Sequence, residues 1–231
     1  MNEERKQFEG VRLLIFDLDG TLIDSKLDLA LSVNAARAHL WLPPLEHEEI
    51  FGYVGHGAPM LVRRSLREGA SDEQVERALQ YFLEYHRAHM LDNTLPYPGV
   101  REGLAELAAR GYGQEKERPM AVLTNKPVRF SKMILDGLGL GSYFRHVYGG
   151  NSFERKKPDP IGVQALLQDC EAQPRQAMVV GDSEIDILTA RNAGTWACGV
   201  TYGLGSHMLA EYPPDLLLDS LAELPAHLNA C

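Results

Sequence analysis

The sequence predicts an α/β protein, a doubly wound parallel sheet with a small inserted helical domain. Three observations support this class. Short, almost unbroken apolar runs end in polar residues, as buried strands do when both faces of a parallel sheet are covered. Segments with helical spacing separate these runs, which is the alternation typical of a doubly wound sheet. One long stretch after the first strand carries helical patterns without a convincing strand, and it interrupts the alternation.

The first strand is predicted within V-R-L-L-I-F-D-L-D-G-T-L-I-D, residues 11–24, where an apolar run ends in two aspartates. A helical stretch follows, from about residue 25 to residue 90. Residues at helical spacing mark three amphipathic segments, which are Leu27, Leu31, Leu40 and Leu42, then Met60, Leu61 and Leu66, then Val75, Leu79, Phe82, Leu83 and His86. Ser71 is the predicted N-cap of the third helix, with Gln74 completing a capping box.

The alternation of strands and helices resumes after D-N-T-L-P-Y-P-G at residues 92–99. In chain order the patterns predict a helix over 99–110, a strand over 119–125, a helix over 128–138, a strand over 145–150, a helix over 160–170, a strand over 177–182, a helix over 185–193, and strands over 196–200 and 215–218. We therefore expect a Rossmann-like core formed by residues 1–24 and 95–231, with residues 25–94 inserted as a helical domain.

The composition fits a globular protein without nucleic-acid or membrane partners. Hydrophobic residues make up 45% of the 231 residues, which is enough for one core or for one core with an insertion. The net charge of −9 argues against sequence-independent nucleic-acid binding, which needs a basic face. No apolar run approaches the roughly 18 residues that a membrane span needs. Composition leaves the oligomeric state open between a monomer and a homodimer.

The amino terminus and the cysteines bear on the compartment. The first ten residues are polar and lack the apolar segment of a signal peptide. Cys170, Cys198 and Cys231 are scattered and show no C-x-x-C spacing, so they indicate neither a zinc site nor a disulfide framework. We expect a reduced, cytoplasmic protein whose thiols are structural.

Three predicted strands end in polar side chains. Asp17 and Asp19 follow the first strand, Thr124 and Asn125 end the next, and Asp182 ends a third. In a doubly wound sheet, ligands bind beyond the carboxyl ends of the strands. These five residues are therefore expected to share one site at the rim of the core, where their polar groups need not be buried unpaired.

The segment D-L-D-G-T at residues 17–21 has the residue types that phosphoryl transfer needs. An aspartate can act as a nucleophile and form an acyl phosphate. A second acid, at the turn after the strand, can protonate the departing oxygen and later activate water. Gly20 allows the backbone to turn closely around a phosphoryl group, and Thr21 adds a hydroxyl. The alternative is a turn with helix-capping acids.

Residues further along the chain supply what else this chemistry requires, namely donors and charge for the phosphoryl oxygens. Thr124 and Asn125 offer a hydroxyl and amides, and Lys157 in R-K-K-P-D-P offers a positive charge. Asp182, in G-D-S-E-I-D, is a hard oxygen ligand. Paired carboxylates with water and phosphate oxygens suit Mg²⁺, which is the predicted cofactor. Each of these segments taken alone also fits a non-catalytic role, as a strand end, a surface lysine or a capped helix.

With these residues in order, the sequence resembles the haloacid dehalogenase superfamily of aspartyl-phosphate phosphatases. Four motifs carry the resemblance, which spans nearly the whole chain: D-L-D-G-T at 17–21, T-N at 124–125, K-P at 157–158 and G-D-S-E-I-D at 181–186. The helical insert looks like the small cap of that superfamily. The acid at position 19 disfavours the dehalogenase branch, and the phosphonoacetaldehyde-hydrolase branch is disfavoured for a similar reason.

The resemblance implies a role for each motif residue. Asp17 would be the nucleophile, and Asp19 the general acid and base, with its backbone carbonyl on Mg²⁺. The phosphoryl group would be held by Thr124, Asn125 and Lys157. The metal ligands would be Asp17, Asp19 and Asp182. The supporting residues would be Gly20, Thr21, Ser183 and Asp186, the last of these holding Lys157 or a metal-bound water. The K-P adjacency favours Lys157 over Lys156 as the inward lysine.

Within the superfamily, the nearest resemblance is to phosphoglycolate phosphatases. It rests on residues 21–30, 52–66 and 148–160. It implies hydrolysis of 2-phosphoglycolate to glycolate and phosphate through an aspartyl phosphate. The alternatives are a pyrophosphatase, a broad sugar-phosphate phosphatase, a β-phosphoglucomutase-like phosphotransferase, and a non-catalytic phosphate-binding module on the same scaffold.

The insert is expected to provide substrate specificity. Its G-H-G-A segment is similar to the loop that phosphoglycolate phosphatases place over the active site, with a histidine where asparagine is more usual. The candidate specificity residues are Gly55, His56, Gly57, Lys26 and Arg63, with Arg64 as a further candidate. The remaining histidines, among them His86, are interpreted as structural or surface groups.

Overall fold

The computed structural model describes residue 8 and residues 10–228. Cys231 and the first seven residues, with the predictions made for them, lie outside the described residues. Among the described residues, no helix is long and apolar enough to cross a membrane.

The core is a six-stranded parallel sheet. Its strands are β1 (Leu13–Phe16), β4 (Met120–Leu123), β5 (His146–Tyr148), β6 (Ala177–Gly181), β7 (Trp196–Val200) and β8 (Leu216–Leu218). Their order across the sheet is β5-β4-β1-β6-β7-β8. The chain adds strands first on one side of β1 and then on the other, while all six strands stay parallel. This confirms the predicted doubly wound α/β class. Phe16 is level with Val122 on one side and Val180 on the other, so the ends of β1, β4 and β6 lie together.

Helices cover both faces of the sheet. They are α5 (Val100–Ala109), α6 (Val128–Gly137), α7 (Ile161–Asp169) and α8 (Glu184–Ala193), with a short α9 (Leu224–His227) near the carboxyl end. Successive side chains of a strand point to opposite faces. Leu14 and Phe16 therefore join the cluster that contains residues of α5 and α6, whereas Leu13 and Ile15 pack with α7 and α8.

The insert consists of four helices with a hydrophobic cluster of their own. They are α1 (Lys26–His39), α2 (His47–Phe51), α3 (Ala58–Ser65) and α4 (Asp72–His89). The sequence did not predict the buried face of α1, since Leu27 and Leu31 are more than a third exposed while Leu29 and Val33 are buried. Many of the contacts of α1 are with α4, and small residues such as Ala30 and Ala36 on the buried face weaken the periodicity there.

Two short strands join the insert to the core, and the sequence did not reveal them. β2 (Ile23–Asp24) and β3 (Leu95–Pro96) form an antiparallel pair at the two crossings of the chain. Beside them, the buried carboxylate of Asp28 accepts hydrogen bonds from Asn93 and Thr94. Two-residue strands have no measurable periodicity, so this connection depends on tertiary pairing.

The predicted N-cap of α4 is confirmed. The backbone N–H of Gln74 donates to Ser71 Oγ at 3.2 Å, and the backbone N–H of Ser71 donates to Gln74 Oε1 at 2.9 Å. These reciprocal bonds satisfy two donors at the amino end of the helix, which otherwise would have no intrahelical partner.

Candidate active site

Three carboxylates meet at the carboxyl end of the sheet. Asp17 follows β1, Asp182 follows β6, and Asp186 lies in the first turn of α8. One oxygen from each carboxylate lies within 4.8 Å of the others. We call these three residues the acidic cluster. It arises because β1 and β6 are adjacent and in register, so both strands end at the same level.

Lys157 lies inside the acidic cluster. Its Nζ is 2.8 Å from Asp17 Oδ1 and donates to Asp186 Oδ1 at 2.6 Å. Burial alone would lower the pKa of this ammonium, but the two carboxylates outweigh burial and raise the pKa above its ordinary value. The neighbouring Lys156 is exposed. The structure therefore places Lys157, of the two lysines, beside the predicted nucleophile.

Asp186 is fixed by the start of its own helix. Its Oδ2 accepts from the Ser183 hydroxyl at 2.7 Å and from the Ser183 backbone N–H at 3.2 Å. These bonds form a capping arrangement at the amino end of α8. Ser183 thus fixes the carboxylate that contacts Lys157, and the supporting role of both residues in a reaction stays a prediction.

Asp182 is held from two sides. Its Oδ1 accepts from the Thr21 hydroxyl at 2.9 Å, and its Oδ2 accepts from the Gly205 backbone N–H at 2.9 Å. Gly20 has φ of +90°, and a Cβ on it would lie 2.4 Å from Asp182 Oδ2, so a side chain is excluded there. Gly205 is not among the site residues predicted from the sequence. The signal was the glycine-containing segment T-Y-G-L-G directly after β7.

The acidic cluster carries excess negative charge. Three carboxylates face one ammonium, which leaves two negative charges when all are ionised. Burial raises the pKa of Asp17 to about 6, partly offset by Lys157. Burial, with repulsion from Asp186 and Asp17, raises the pKa of Asp182 to about 8. A divalent cation would neutralise this excess, and an all-oxygen donor set suits a hard ion such as Mg²⁺. The residues present therefore fit the predicted metal.

The Asp19 side chain makes different contacts from those of the acidic cluster. Its Oδ1 accepts from the Ser25 hydroxyl, and Lys126 Nζ lies 3.1 Å from Oδ1 and 3.3 Å from Oδ2. The Asp19 carboxylate therefore pairs with Lys126 outside the acidic cluster, and a metal contact through the Asp19 backbone carbonyl stays a prediction. Lys126 is not among the site residues predicted from the sequence, although it directly follows the T-N motif.

Thr124 and Asn125 lie at the end of β4, where both are buried. Asn125 Nδ2 donates to the Gly55 carbonyl at 2.9 Å, and Asn125 Oδ1 accepts from the Lys157 backbone N–H at 3.0 Å. The side chain of Asn125 thus braces both the lysine and a loop of the insert. The binding of phosphate by Thr124 and Asn125 stays a prediction.

The insert reaches the site through its G-H-G-A loop. Gly57 has φ of +85°, and a Cβ on it would lie 2.9 Å from the carbonyl oxygen of Asn125, so the loop is closely docked. His56 and Arg64 line a cavity of about 280 Å³ that also contacts Asp17 and Asp182. Burial lowers the pKa of His56, and the charge of Arg64 adds to this effect.

Two of the predicted specificity residues are not brought to the site. Arg63 is exposed and pairs with Asp72 at 2.6 Å. Lys26 is half-buried and pairs with Asp24 at 3.1 Å. Consecutive residues of a helix point in directions about 100° apart, so Arg64 rather than Arg63 faces the cavity. The sequence offered no observation that distinguished the two.

Comparison with known proteins decides the family. The model of the haloacid dehalogenase-like hydrolase family matches residues 14–200. This chain is a haloacid dehalogenase-like hydrolase. All four motifs of the sequence resemblance lie inside the matched region, and the prediction of this family is confirmed.

Relatives within the family cover most of the chain. It is 39% identical to phosphoglycolate phosphatase 1 of Pseudomonas aeruginosa, over 92% of this chain and 78% of that protein. It is 38% identical to a phosphoglycolate phosphatase of Vibrio vulnificus, over 94% of this chain and 95% of that one. A crystal structure of a predicted phosphoglycolate phosphatase from Haemophilus somnus superposes with a TM-score of 0.86 at 32% identity, covering 93% of this chain and 96% of that chain.

Proposed function

We propose that this haloacid dehalogenase-like hydrolase is a Mg²⁺-dependent phosphomonoesterase that hydrolyses 2-phosphoglycolate to glycolate and phosphate. The observation that carries the proposal is the contact of Lys157 Nζ with Asp17 at 2.8 Å beside two further carboxylates. This contact places a positive charge beside the predicted nucleophile, where it can neutralise the phosphoryl group that Asp17 would carry. The names of the relatives favour phosphoglycolate among small phosphoesters.

In the proposed reaction, a carboxylate oxygen of Asp17 attacks phosphorus and the bond from phosphorus to the glycolate oxygen breaks. Asp19 gives its proton to that oxygen as glycolate leaves. Asp19 then takes a proton from water, whose oxygen attacks the phosphorus of the aspartyl phosphate and releases inorganic phosphate. Lys157 and the hydroxyl of Thr124 hold the phosphoryl oxygens.

Asp17, Asp182 and the backbone carbonyl of Asp19 would hold Mg²⁺, which supplies further neutralisation of the phosphoryl charge when bound. Asp186 keeps Lys157 in place through the 2.6 Å bond described above. Preorganised charge of this kind is the main contribution that a protein makes to phosphoryl transfer.

The proposal includes a reduced, cytoplasmic setting. It is supported by Cys170 and Cys198, which are both buried free thiols in the described part of the chain. Burial raises the pKa of both thiols, so they are poorly reactive.

Phosphate release from a panel of small phosphoesters tests the proposal. We expect kcat/KM for 2-phosphoglycolate to exceed that for other esters by about a hundredfold, and we expect chelation of the metal to abolish the release. Adding Mg²⁺ back should restore activity. Similar kcat/KM values for all esters would exclude 2-phosphoglycolate as the specific substrate but keep the phosphatase reaction. A preference for pyrophosphate or a sugar phosphate would change the assigned substrate to that compound. Activity that survives chelation would exclude the metal.

A further inference from the structure

A second, smaller cavity adjoins Asp17 and Asp19 on the side of Lys126. Its volume is about 40 Å³, space for roughly three water molecules. Its apolar walls come from both the insert and the core, and they are formed by Leu29, Val54, Leu61, Phe82 and Phe130. Asp19, Lys126 and His86 supply charged and polar groups to its lining. A cavity of this size has room for only a few atoms of a leaving group beyond its bond to phosphorus.

Lys126 is the only cation among the described residues that line this cavity. Its side chain is 5% exposed. The ammonium group has three protons, and it donates hydrogen bonds to the two oxygens of Asp19 at 3.1 and 3.3 Å. An ammonium so far from water is stabilised by further acceptors, which a ligand in the cavity can supply.

His86 shows that the polar end of the cavity is not simply a packing gap. The residue is 1% exposed, and its Nε2 has no hydrogen-bond partner. Burial lowers the pKa of His86 to about 2, so the ring is neutral. An unpaired buried nitrogen is costly unless a ligand or a neighbouring donor completes it.

The hydroxyl of Ser32 decides which nitrogen of His86 carries the proton. That hydroxyl donates to the Asp28 carbonyl at 2.6 Å, so its oxygen accepts from His86 Nδ1 at 3.0 Å. Nε2 is then a bare acceptor. Because Nε2 carries no proton, it cannot donate to a carboxylate, and Lys126 is the charged donor in this cavity that can.

We propose that Lys126, which contacts Asp19 in the cavity that His86 also lines, is the specificity residue that binds the carboxylate of the leaving group. The proposal rests on the function proposed above and adds to it the position of the subsite. The leaving oxygen must lie at Asp19, whose two oxygens contact Lys126, so a carboxylate one carbon further on lies within reach of the ammonium. The larger cavity also contains cations, Arg64 and Lys157, but four carboxylates line it against two in the smaller cavity, so it is less suitable for an anionic group.

The test compares two esters of similar size, 2-phosphoglycolate and 2-hydroxyethyl phosphate. Both need the same acid, so their ratio of kcat/KM cancels any general effect on Asp19. We expect Lys126→Met to reduce a preference of about a hundredfold to a fewfold, chiefly by loss of activity on 2-phosphoglycolate. Lys126→Gln is the second variant if the Met variant does not fold. The matched control is Lys132→Met, an exposed lysine, which should keep the wild-type ratio.

The outcomes separate this inference from the proposed function. An unchanged ratio in both Lys126 variants overturns the inference, whatever their absolute rates. If Arg64→Met loses the preference for 2-phosphoglycolate and Lys126→Met keeps it, the inference is also overturned, and the carboxylate binds in the larger cavity. If the wild type releases phosphate from neither ester, the proposed function fails first. If it releases phosphate without preferring the carboxylate, the phosphatase reaction stands and the carboxylate subsite fails.

Discussion

Replacing Asp17 by Asn is expected to reduce phosphate release by at least about 10⁴-fold, because an amide cannot form the acyl phosphate. The fold should survive, since burial already raises the pKa of the Asp17 carboxyl to about 6 and a neutral amide removes that burial cost. Lys157 keeps its bond to Asp186 in the variant. Steady-state kinetics with 2-phosphoglycolate and thermal melting of the same preparation measure both effects.

The matched control for this prediction is Asp72→Asn, which changes an aspartate whose side chain is 92% exposed. That variant should retain activity within about twofold, because surface ion pairs contribute little. An Asp17→Asn variant with more than a few per cent of wild-type activity, shown not to have deamidated, would contradict the role assigned to Asp17.

Replacing Lys157 by Met is expected to impair both activity and stability. Loss of the charge on the phosphoryl group should reduce kcat by about 10³-fold. The buried carboxylates of Asp17 and Asp186 would lose their shared cation, which should lower the free energy of unfolding by about 3–5 kcal/mol in chelator. Urea unfolding of both proteins, monitored by circular dichroism, measures the difference.

The stability loss of the Lys157→Met variant should depend on pH with a definite sign. Asp17 has a pKa above its unfolded value, so its contribution to stability is complete below about pH 4 and is lost as the pH rises through about 6. Without the ammonium this pKa rises further, and the deficit relative to wild type should therefore grow between pH 5 and pH 8. A deficit that shrinks over this interval would contradict the ion-pair assignment. Lys156→Met, at the exposed neighbour, is the control and should match wild type.

The sheet at the core of the molecule can be predicted from the sequence because the patterns that indicate its strands are local. Each strand of the sheet is a short apolar run that ends in a turn or a polar residue, and β1 and β6 end in the aspartates that meet in the site. Parallel strands bring their carboxyl ends to one edge whatever the details of packing. This rule, together with the order of the motifs along the chain, is enough to predict that Asp17, Asp182 and Lys157 lie near one another.

The contacts between insert and core were not accessible in this way. Lys126 and Asp19 are far apart in sequence, and the position of His86 in the cavity depends on how α4 packs against α1 and α6. Helical spacing alone marks His86 as a core residue, so the sequence indicates a structural group at this position. Arg63 and Arg64 were equally plausible until the orientation of α3 was known. Such choices depend on tertiary geometry that periodicity does not encode.

Detection of phosphate on Asp17 tests the central claim most directly. In the Asp19→Asn variant, the base that activates water is missing, so an aspartyl phosphate should persist if the leaving group needs no acid. Acetyl phosphate with Mg²⁺ supplies such a leaving group, since acetate departs unprotonated. After acid quench, peptide mass spectrometry should find one phosphoryl group on Asp17. Phosphate on another residue, or steady hydrolysis of acetyl phosphate with Asp17 unmodified, would contradict the account.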